Sequence, residues 1–268
     1  MKIGILYVCT GNYTIFWKDF YLTCEQFFIP GAEKHYFVFT DAPSVDFEQE
    51  NPRIKRLFQE NLGWPDNTLK RFHMFKKAEE QIAKMDYVFF LNANMLLIDK
   101  IDESILCEKE GLLGVKHPGY YNKDRDAFPY ENNPLSTAYI SPKEGESYYM
   151  GGFNGGKGSE FTKLINSLIS NVDNDLAKGI IARYHDESQI NRYFLDHSVK
   201  TIGAEYGWPE GKPTDLPVKI IIRDKTKWGG HAKLRGDRFQ FQYSYLAKLI
   251  AKSKGIYKKH VVKRFKHN

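Results

Sequence analysis

Cysteine is scarce and forms no pattern: Cys9, Cys24 and Cys107 stand apart at no metal-like spacing. A disulfide framework and a cysteine zinc site are excluded, and reduced thiols in a cytosolic setting are the expectation. No apolar run approaches the roughly 18 to 20 residues that a spanning helix needs. The segment Met1 to Val8 is too short for a secretory signal and lacks a small-residue cleavage site, so it reads as a first strand. There is no P-loop, no G-x-G-x-x-G opening a helix, and no His-Glu-x-x-His, so the common nucleotide signatures and a metalloprotease site are missing. Fixed-period repeats, low-complexity segments and an evident linker are also missing.

Acidic residues are absent after Asp237, where nine Lys and Arg follow. The chain as a whole carries 39 basic and 33 acidic residues, a formal charge of +6, so the rest of it holds thirty basic against 33 acidic and is slightly negative. A basic body for nucleic acid is therefore not present. In the tail, residues 238–268, Leu246, Leu249, Ile250, Ile256, Tyr257, Val261, Val262 and Phe265 recur at roughly helical spacing. Such a segment can lie on an anionic membrane surface, bind nucleic acid, or pack as a solvated terminal helix. The remaining 1–237 is long enough for one α/β domain with insertions.

Ile3 to Val8 is a near-continuous apolar run that ends on Cys9-Thr10-Gly11-Asn12, a strand and then a polar turn. Tyr13 to Phe28 has helical spacing, Tyr36 to Asp41 reads as a second strand, and Thr68 to Met85 places Leu69, Phe72, Phe75, Ala78, Ile82 and Met85 on one helical face. Tyr87 to Leu91 is apolar throughout, as strands covered on both faces are. Strands alternating with helices predict an α/β fold with a mainly parallel sheet. Ligands of such sheets bind beyond the carboxyl ends of the strands, which points at Thr10, Asp41 and Asn92-Ala93-Asn94. From about Pro118 to Gly158, glycine, proline, asparagine and tyrosine become dense, which predicts a long ligand-facing insertion suited to a sugar or a base.

Three constellations can carry chemistry. Tyr184-His185-Asp186-Glu187-Ser188 precedes the helical run Gln189 to Phe194. It suits proton transfer, metal binding or nucleophilic attack, or else simply caps a helix N-terminus. Asn92 and Asn94 lie two apart at a strand end. Aspartates there would hold a hard divalent cation, whereas neutral amide carbonyls bind one far less strongly, and asparagine is also an ordinary turn residue. Lys225, Lys227, Lys233 and Arg235 gather around Trp228-Gly229-Gly230 after the apolar run Val218 to Ile222, either a basic loop that closes over phosphates or a solvated surface loop.

Together with His117-Pro118-Gly119-Tyr120-Tyr121, Ala138-Tyr139-Ile140, Tyr148-Tyr149-Met150-Gly151-Gly152-Phe153 and His185-Asp186-Glu187-Ser188-Gln189-Ile190-Asn191, these segments resemble glycosyltransferase family 6 from about Ile5 to Arg235. That is the family of the blood-group A and B transferases and the α-1,3-galactosyltransferases. The resemblance implies a Rossmann-like GT-A fold in a single domain. It also implies retaining transfer of galactose or N-acetylgalactosamine from a UDP-sugar to a β-galactoside, fucosylated in the blood-group members. By position, Val8, Thr10 and Tyr13 match the uridine pocket, and Arg71, His185 and Asp186 match donor-sugar residues. Met150, Gly151 and Gly152 match the stretch facing the sugar C2 substituent. Glu187 matches the carboxylate nearest the reacting carbon, and Lys227 and Lys233, with Lys225 or Arg235 as substitutes, match the basic pair at the diphosphate. His117, Tyr184 and Trp208 match acceptor contacts, and Glu210 follows Pro209 where the family has an acceptor-binding aspartate.

Animal members carry two aspartates where this chain has Asn92 and Asn94, and they carry a membrane anchor before the catalytic domain. The pattern here resembles the soluble bacterial members, with no divalent metal, no cofactor and no nucleic-acid partner expected. The expected setting is cytoplasmic, with peripheral membrane contact through the tail. Without a metal, basic residues have to stabilise departing UDP in a closed, partly dry site. Two routes are open to Glu187: a glycosyl-enzyme intermediate, or stabilisation of the oxocarbenium ion during same-face attack. Gly152 leaves room for an N-acetyl group, so UDP-N-acetylgalactosamine is the expected donor and 2′-fucosyllactose a suitable acceptor. The alternatives are UDP-galactose as donor, or a silent protein that binds sugar nucleotides or glycans.

Overall fold

The architecture follows from which strands are apolar on both faces. In the computed structural model, which describes residues 1–236, β1 (Lys2–Val8), β2 (Glu33–Thr40) and β4 (Tyr87–Leu91) lie side by side with almost every residue buried. Successive side chains of a strand point to opposite faces, so each strand feeds two cores. Ile3, Ile5 and Tyr7 pack with Phe89, Leu91 and with Trp17, Phe20 and Cys24 of α1 (Trp17–Phe27). Leu6, Val88 and Phe90 face the other way, onto Phe72, Phe75 and the helix α5 (Gly158–Ala177), whose Phe161, Leu164, Ile165 and Leu168 are fully buried.

The seven-stranded sheet has the order β3-β2-β1-β4-β7-β6-β8, with β3 at Ile54–Phe58, β6 at Leu112–Lys116, β7 at Tyr149–Lys157 and β8 at Val199–Ile202. Pairings β3–β2, β2–β1, β1–β4 and β6–β8 are parallel; β7 runs antiparallel to both its neighbours. The chain leaves β1 in one direction for β2 and β3, then returns to lay β4 on the other side of β1. The carboxyl ends of β1 and β4 therefore flank a topological switch point, where open sheets leave a crevice. A small second sheet of β5 (Met95–Leu97), β9 (Trp208–Pro209) and β10 (Ile220–Ile222) continues past the end of β4. No helix among the described residues is long and apolar enough to cross a membrane.

Three expectations change. The glycine-rich stretch expected as a ligand-facing insertion ends in a central strand, β7. Gly155 and Gly156 serve close packing there, since a Cβ on Gly155 would run into the Phe89 ring and one on Gly156 would sit 2.7 Å from the Gly111 carbonyl. The helix expected over Thr68 to Met85 is three short ones, α2 (Asp66–Leu69), α3 (Arg71–Lys76) and α4 (Glu79–Ile82). The breaks fall at Lys70 and Ala78, and no glycine or proline marks them. The helix expected from Tyr13 begins as a 3-10 turn, Gly11–Phe16, before α1. The basic segment 238–268, read as an amphipathic tail, lies outside the described residues.

Candidate active site

A cleft opens where β1 and β4 end. Val8, Thr10 and Tyr13 come from the first strand and its turn, Asn92, Ala93 and Asn94 from the end of β4, and Trp64, Thr68 and Arg71 from the segment around α2 and α3. The roof is the 3-10 turn Lys225–Trp228 and the helix α7 (Gly230–Arg235). This roof is tied down by main-chain acceptors. Asn12 Nδ2 donates to the Lys233 carbonyl at 2.7 Å, Asn61 Nδ2 to Arg235 at 2.8 Å, and Asn94 Nδ2 to Arg223 at 2.9 Å.

Of the basic residues in that roof, Lys225 and Arg235 face the cleft beside Arg71. Lys225 Nζ sits over the Tyr13 ring, 5.3 Å from its centroid, and Arg235 lies over Trp64 at 5.5 Å. The structure points the other two elsewhere. Lys227 is exposed and paired with Glu210 at 2.7 Å, and Lys233 is exposed beside a neighbouring depression lined by Asn12, Trp17 and Trp228. Burial pulls the Lys225 ammonium down to about 8, with Arg235 and Arg71 pulling the same way. Three cations held together in a partly dry cleft form a site for a multiply charged anion.

The Tyr184-His185-Asp186-Glu187 run does open a helix, α6 (Asp186–Leu195). Its acids are not surface capping groups. Asp186 is buried, and Arg71 Nη1 stands 2.6 Å from its Oδ2, although that oxygen receives no aligned hydrogen bond. Burial pushes the Asp186 carboxyl up to about 6 against the pull of Arg71, with Glu187 adding to the rise. The Arg71 guanidinium also lies over the Phe90 ring, 4.4 Å from its centroid. Glu187 accepts from the Tyr148 hydroxyl at 2.6 Å and from the Gly151 N–H at 2.7 Å. Burial raises its pKa, while those two donors and Arg71 hold it down. His185, at the helix start, takes φ 54° and ψ −123°, a conformation that costs about 1–3 kcal/mol in a residue with a side chain. Its ring meets Trp64 edge to face at 5.5 Å, and Nδ1 lies 3.4 Å from Thr68 Oγ1.

Gly151 and Gly152 link these groups. A Cβ on Gly151 would come within 3.0 Å of Glu187 Cβ, and one on Gly152 within 2.7 Å of Asn92 Nδ2. One continuous edge thus runs from Glu187 through both glycines to Asn92. Met150 is buried beneath this edge, packed on Gly207. The Asn92 and Asn94 amides are a poor ligand set for a divalent cation, because their carbonyl oxygens are neutral. No three His, Cys, Asp or Glu side chains group to hold a metal ion among the described residues.

Aromatic residues line the far side. His117 packs on Tyr120 and Tyr148 at 5.0 and 5.7 Å, and its Nδ1 accepts from Gly119 N–H at 3.0 Å, which leaves Nε2 to carry the proton. Burial, then Lys212, lowers its pKa to about 4, so the ring is neutral. Trp208 meets Tyr121 edge to face and donates from Nε1 to the Lys212 carbonyl at 2.9 Å, while Tyr184 is exposed. Glu210 faces away from this group, holding Lys227 and the Asp224 N–H.

Sequence reasoning gave no role to Tyr148 or Asn191. Asn191 sits one helical turn after Glu187, a spacing that could have flagged it. Its Nδ2 donates to the carbonyls of Glu187 and Tyr149, both at 2.8 Å, and its Oδ1 accepts from Tyr149 N–H at 2.9 Å.

The glycosyltransferase family 6 model matches residues 1–230. The O-antigen biosynthesis glycosyltransferase WbnI of Escherichia coli is 38% identical over 235 residues, which cover 87% of this chain and all of that protein. The rat histo-blood group ABO system transferase 1 is 34% identical over 78% of this chain, and the human globoside α-1,3-N-acetylgalactosaminyltransferase 1 is 29% identical over 82%. The aligned part spans 61% and 65% of those two animal proteins.

Proposed function

The chain belongs to glycosyltransferase family 6, and on that footing we propose that it is a retaining α-1,3-N-acetylgalactosaminyltransferase acting without a divalent metal. Its donor in this reading is UDP-N-acetylgalactosamine and its acceptor a fucosylated β-galactoside. The observation that carries the proposal is the placement of Arg71, Lys225 and Arg235 around one end of an edge whose other end is Glu187.

Cleaving the bond between sugar and diphosphate moves negative charge onto the leaving UDP and positive charge onto the ring. Fixed cations in a low-dielectric cleft stabilise the former without reorganising at the moment of reaction. Arg71, Lys225 and Arg235 take that role here, with Lys225 and Arg235 standing in for Lys227 and Lys233, the pair matched by the family resemblance. Glu187 works as a carboxylate, and the Tyr148 and Gly151 donors favour that form. It either bonds to the anomeric carbon or steadies the oxocarbenium ion, and both routes need it at the edge by Gly151. His117, with its proton on Nε2, can donate to an acceptor hydroxyl while Trp208 and Tyr184 offer flat apolar faces to a sugar ring. Gly152 keeps the edge low beside Asn92, which supports a donor with a bulky C2 substituent. The cytoplasmic setting rests on three cysteines that are all free and buried.

The test is transfer from UDP-N-acetylgalactosamine and from UDP-galactose to 2′-fucosyllactose, with and without EDTA. N-acetylgalactosamine transfer that survives EDTA is the expected result. Preference for UDP-galactose overturns the donor assignment, and loss with EDTA overturns the metal-free reading. Neither transfer nor donor hydrolysis under any condition favours a silent binding protein.

A further inference from the structure

Asn154 is fully buried in the middle of β7, between Phe90 of β4 and Gly114 of β6, and no substrate reaches it. Its side chain is only half satisfied: Nδ2 donates to the Gly151 carbonyl at 3.2 Å, while Oδ1 has no hydrogen-bond partner. A buried amide acceptor left without a partner is destabilising. Leucine has the same branching and number of side-chain heavy atoms and carries no polar group to leave unpaired. Packing therefore does not account for an amide here.

The pairing of β6 and β7 accounts for it. The register jumps opposite Met150–Phe153: two steps along β6, from Gly114 to Lys116, match five along β7, from Asn154 to Tyr149. Three extra residues bulge out of the strand, and the bulge sets Gly151 against Glu187 and Gly152 against Asn92. Side chains serve several of the main-chain groups so displaced. Asn191 serves both groups of Tyr149, Glu187 accepts from Gly151 N–H, and Arg71 and Asn154 both donate to the Gly151 carbonyl, at 3.1 and 3.2 Å.

We infer that Asn154 is a positioning residue for Glu187: its amide fixes the Gly151 carbonyl and so holds the Gly151 N–H on the Glu187 carboxylate. Arg71 Nη1 is the other donor on that carbonyl, so the carbonyl rests on two side chains, one from α3 and one from β7 itself. The groups that face Glu187 are the Tyr148 hydroxyl ahead of β7, the Gly151 N–H on β7, Arg71 on α3 and Asp186 on its own helix. Loosening one of the two direct donors weakens the ionised form, so the carboxyl holds its proton to higher pH. The catalytic consequence rests on the function proposed above, while the effect on Glu187 itself does not.

The experiment compares wild type, Asn154→Leu and Asn154→Asp by two readouts. The first is the titration of the Glu187 carboxyl by carbon-13 NMR of glutamate-labelled protein, with Glu187→Gln assigning the resonance. The second is the pH profile of transfer. Asn154→Leu is expected to raise the Glu187 titration midpoint and to move the acid limb of kcat with it. At neutral pH it should lower kcat about tenfold, the scale of one lost hydrogen bond, with donor KM changed less than about twofold. Asn154→Asp can donate to the Gly151 carbonyl only when protonated, so its activity relative to wild type should rise as pH falls. An unmoved Glu187 midpoint in Asn154→Leu overturns the inference. So does an Asn154→Asp activity ratio that does not rise as pH falls. If Asn154→Leu fails to fold, Asn154→Asp decides. If wild type transfers no sugar, the functional proposal fails and the Glu187 titration alone decides the role of Asn154.

Discussion

Replacing Lys225 with methionine removes one of three cations from the cleft while keeping the apolar stem. A unit charge about 4 Å from a phosphate oxygen is worth about 4 kcal/mol at an effective dielectric of 20. Arg71 and Arg235 remain beside the same anion and recover part of that, so about 2 kcal/mol, or about 30-fold in the Kd of UDP, is expected. Lys227→Met is the control, since Lys227 is exposed and bound to Glu210, and it should leave the Kd nearly unchanged. The pH dependence has a definite sign. The Lys225 pKa lies near 8 in the free protein because the cleft is dry and cationic, and a bound diphosphate raises it. Above pH 8 the site must take up a proton to bind, so affinity should fall by up to about tenfold per pH unit. Calorimetric titration of UDP from pH 6.5 to 9.5 measures both effects. A Lys225→Met protein that binds as wild type does, beside a Lys227→Met protein that loses affinity, would refute the placement of Lys225.

If Glu187 acts at the reacting carbon as proposed, Glu187→Gln should cut transfer by at least about a thousandfold with UDP affinity nearly unchanged; normal turnover sinks the assignment. In Gly152→Ala the new Cβ would lie 2.7 Å from Asn92 Nδ2. Displaced Asn92 and lost headroom should lower use of UDP-N-acetylgalactosamine relative to UDP-galactose, read as the ratio of kcat/KM for the two donors. Asp175, buried on α5, accepts from Ser136 Oγ at 2.6 Å, Thr137 N–H at 2.7 Å and Gln189 Nε2 at 3.2 Å. Asp175→Ala strands the Ser136 hydroxyl and the Thr137 N–H, while Gln189 Nε2 keeps its bond to Thr137 Oγ1 at 3.0 Å, and it should cost about 3 kcal/mol, lowering Tm by roughly 6–10 °C. A melting curve within a degree or two of wild type would show that the network relaxes.

The strands were legible because burial on both faces leaves runs such as Tyr87 to Leu91 with nothing polar in them. The run around His185 was legible because three ionisable groups in a row are hard to place by packing alone. What escaped was whatever depends on distant pairing. Glycines 155 and 156 look like loop chemistry until the Phe89 ring closes on the first and the Gly111 carbonyl on the second, so β7 was hidden inside an expected insertion. The breaks in α2–α4 carry no residue that advertises them. Spacing could not separate Lys225 from Lys227, because two residues of 3-10 turn decide which ammonium enters the cleft. Asn154 was invisible for a related reason: its role exists only where β6 and β7 fall out of register.

The roof of the cleft joins chain segments that are 221, 174 and 129 residues apart, through Asn12, Asn61 and Asn94 respectively. Contacts of such separation form late, after the loop-closure entropy of nearly the whole chain has been overcome. During synthesis the floor built from β1 to β4 exists well before residues 225–235 emerge. Two of the three cations arrive with those last residues. A nascent chain that has reached Glu187 therefore holds that carboxylate and Arg71 but not Lys225 and Arg235, and the cleft gains most of its positive charge only when the roof docks.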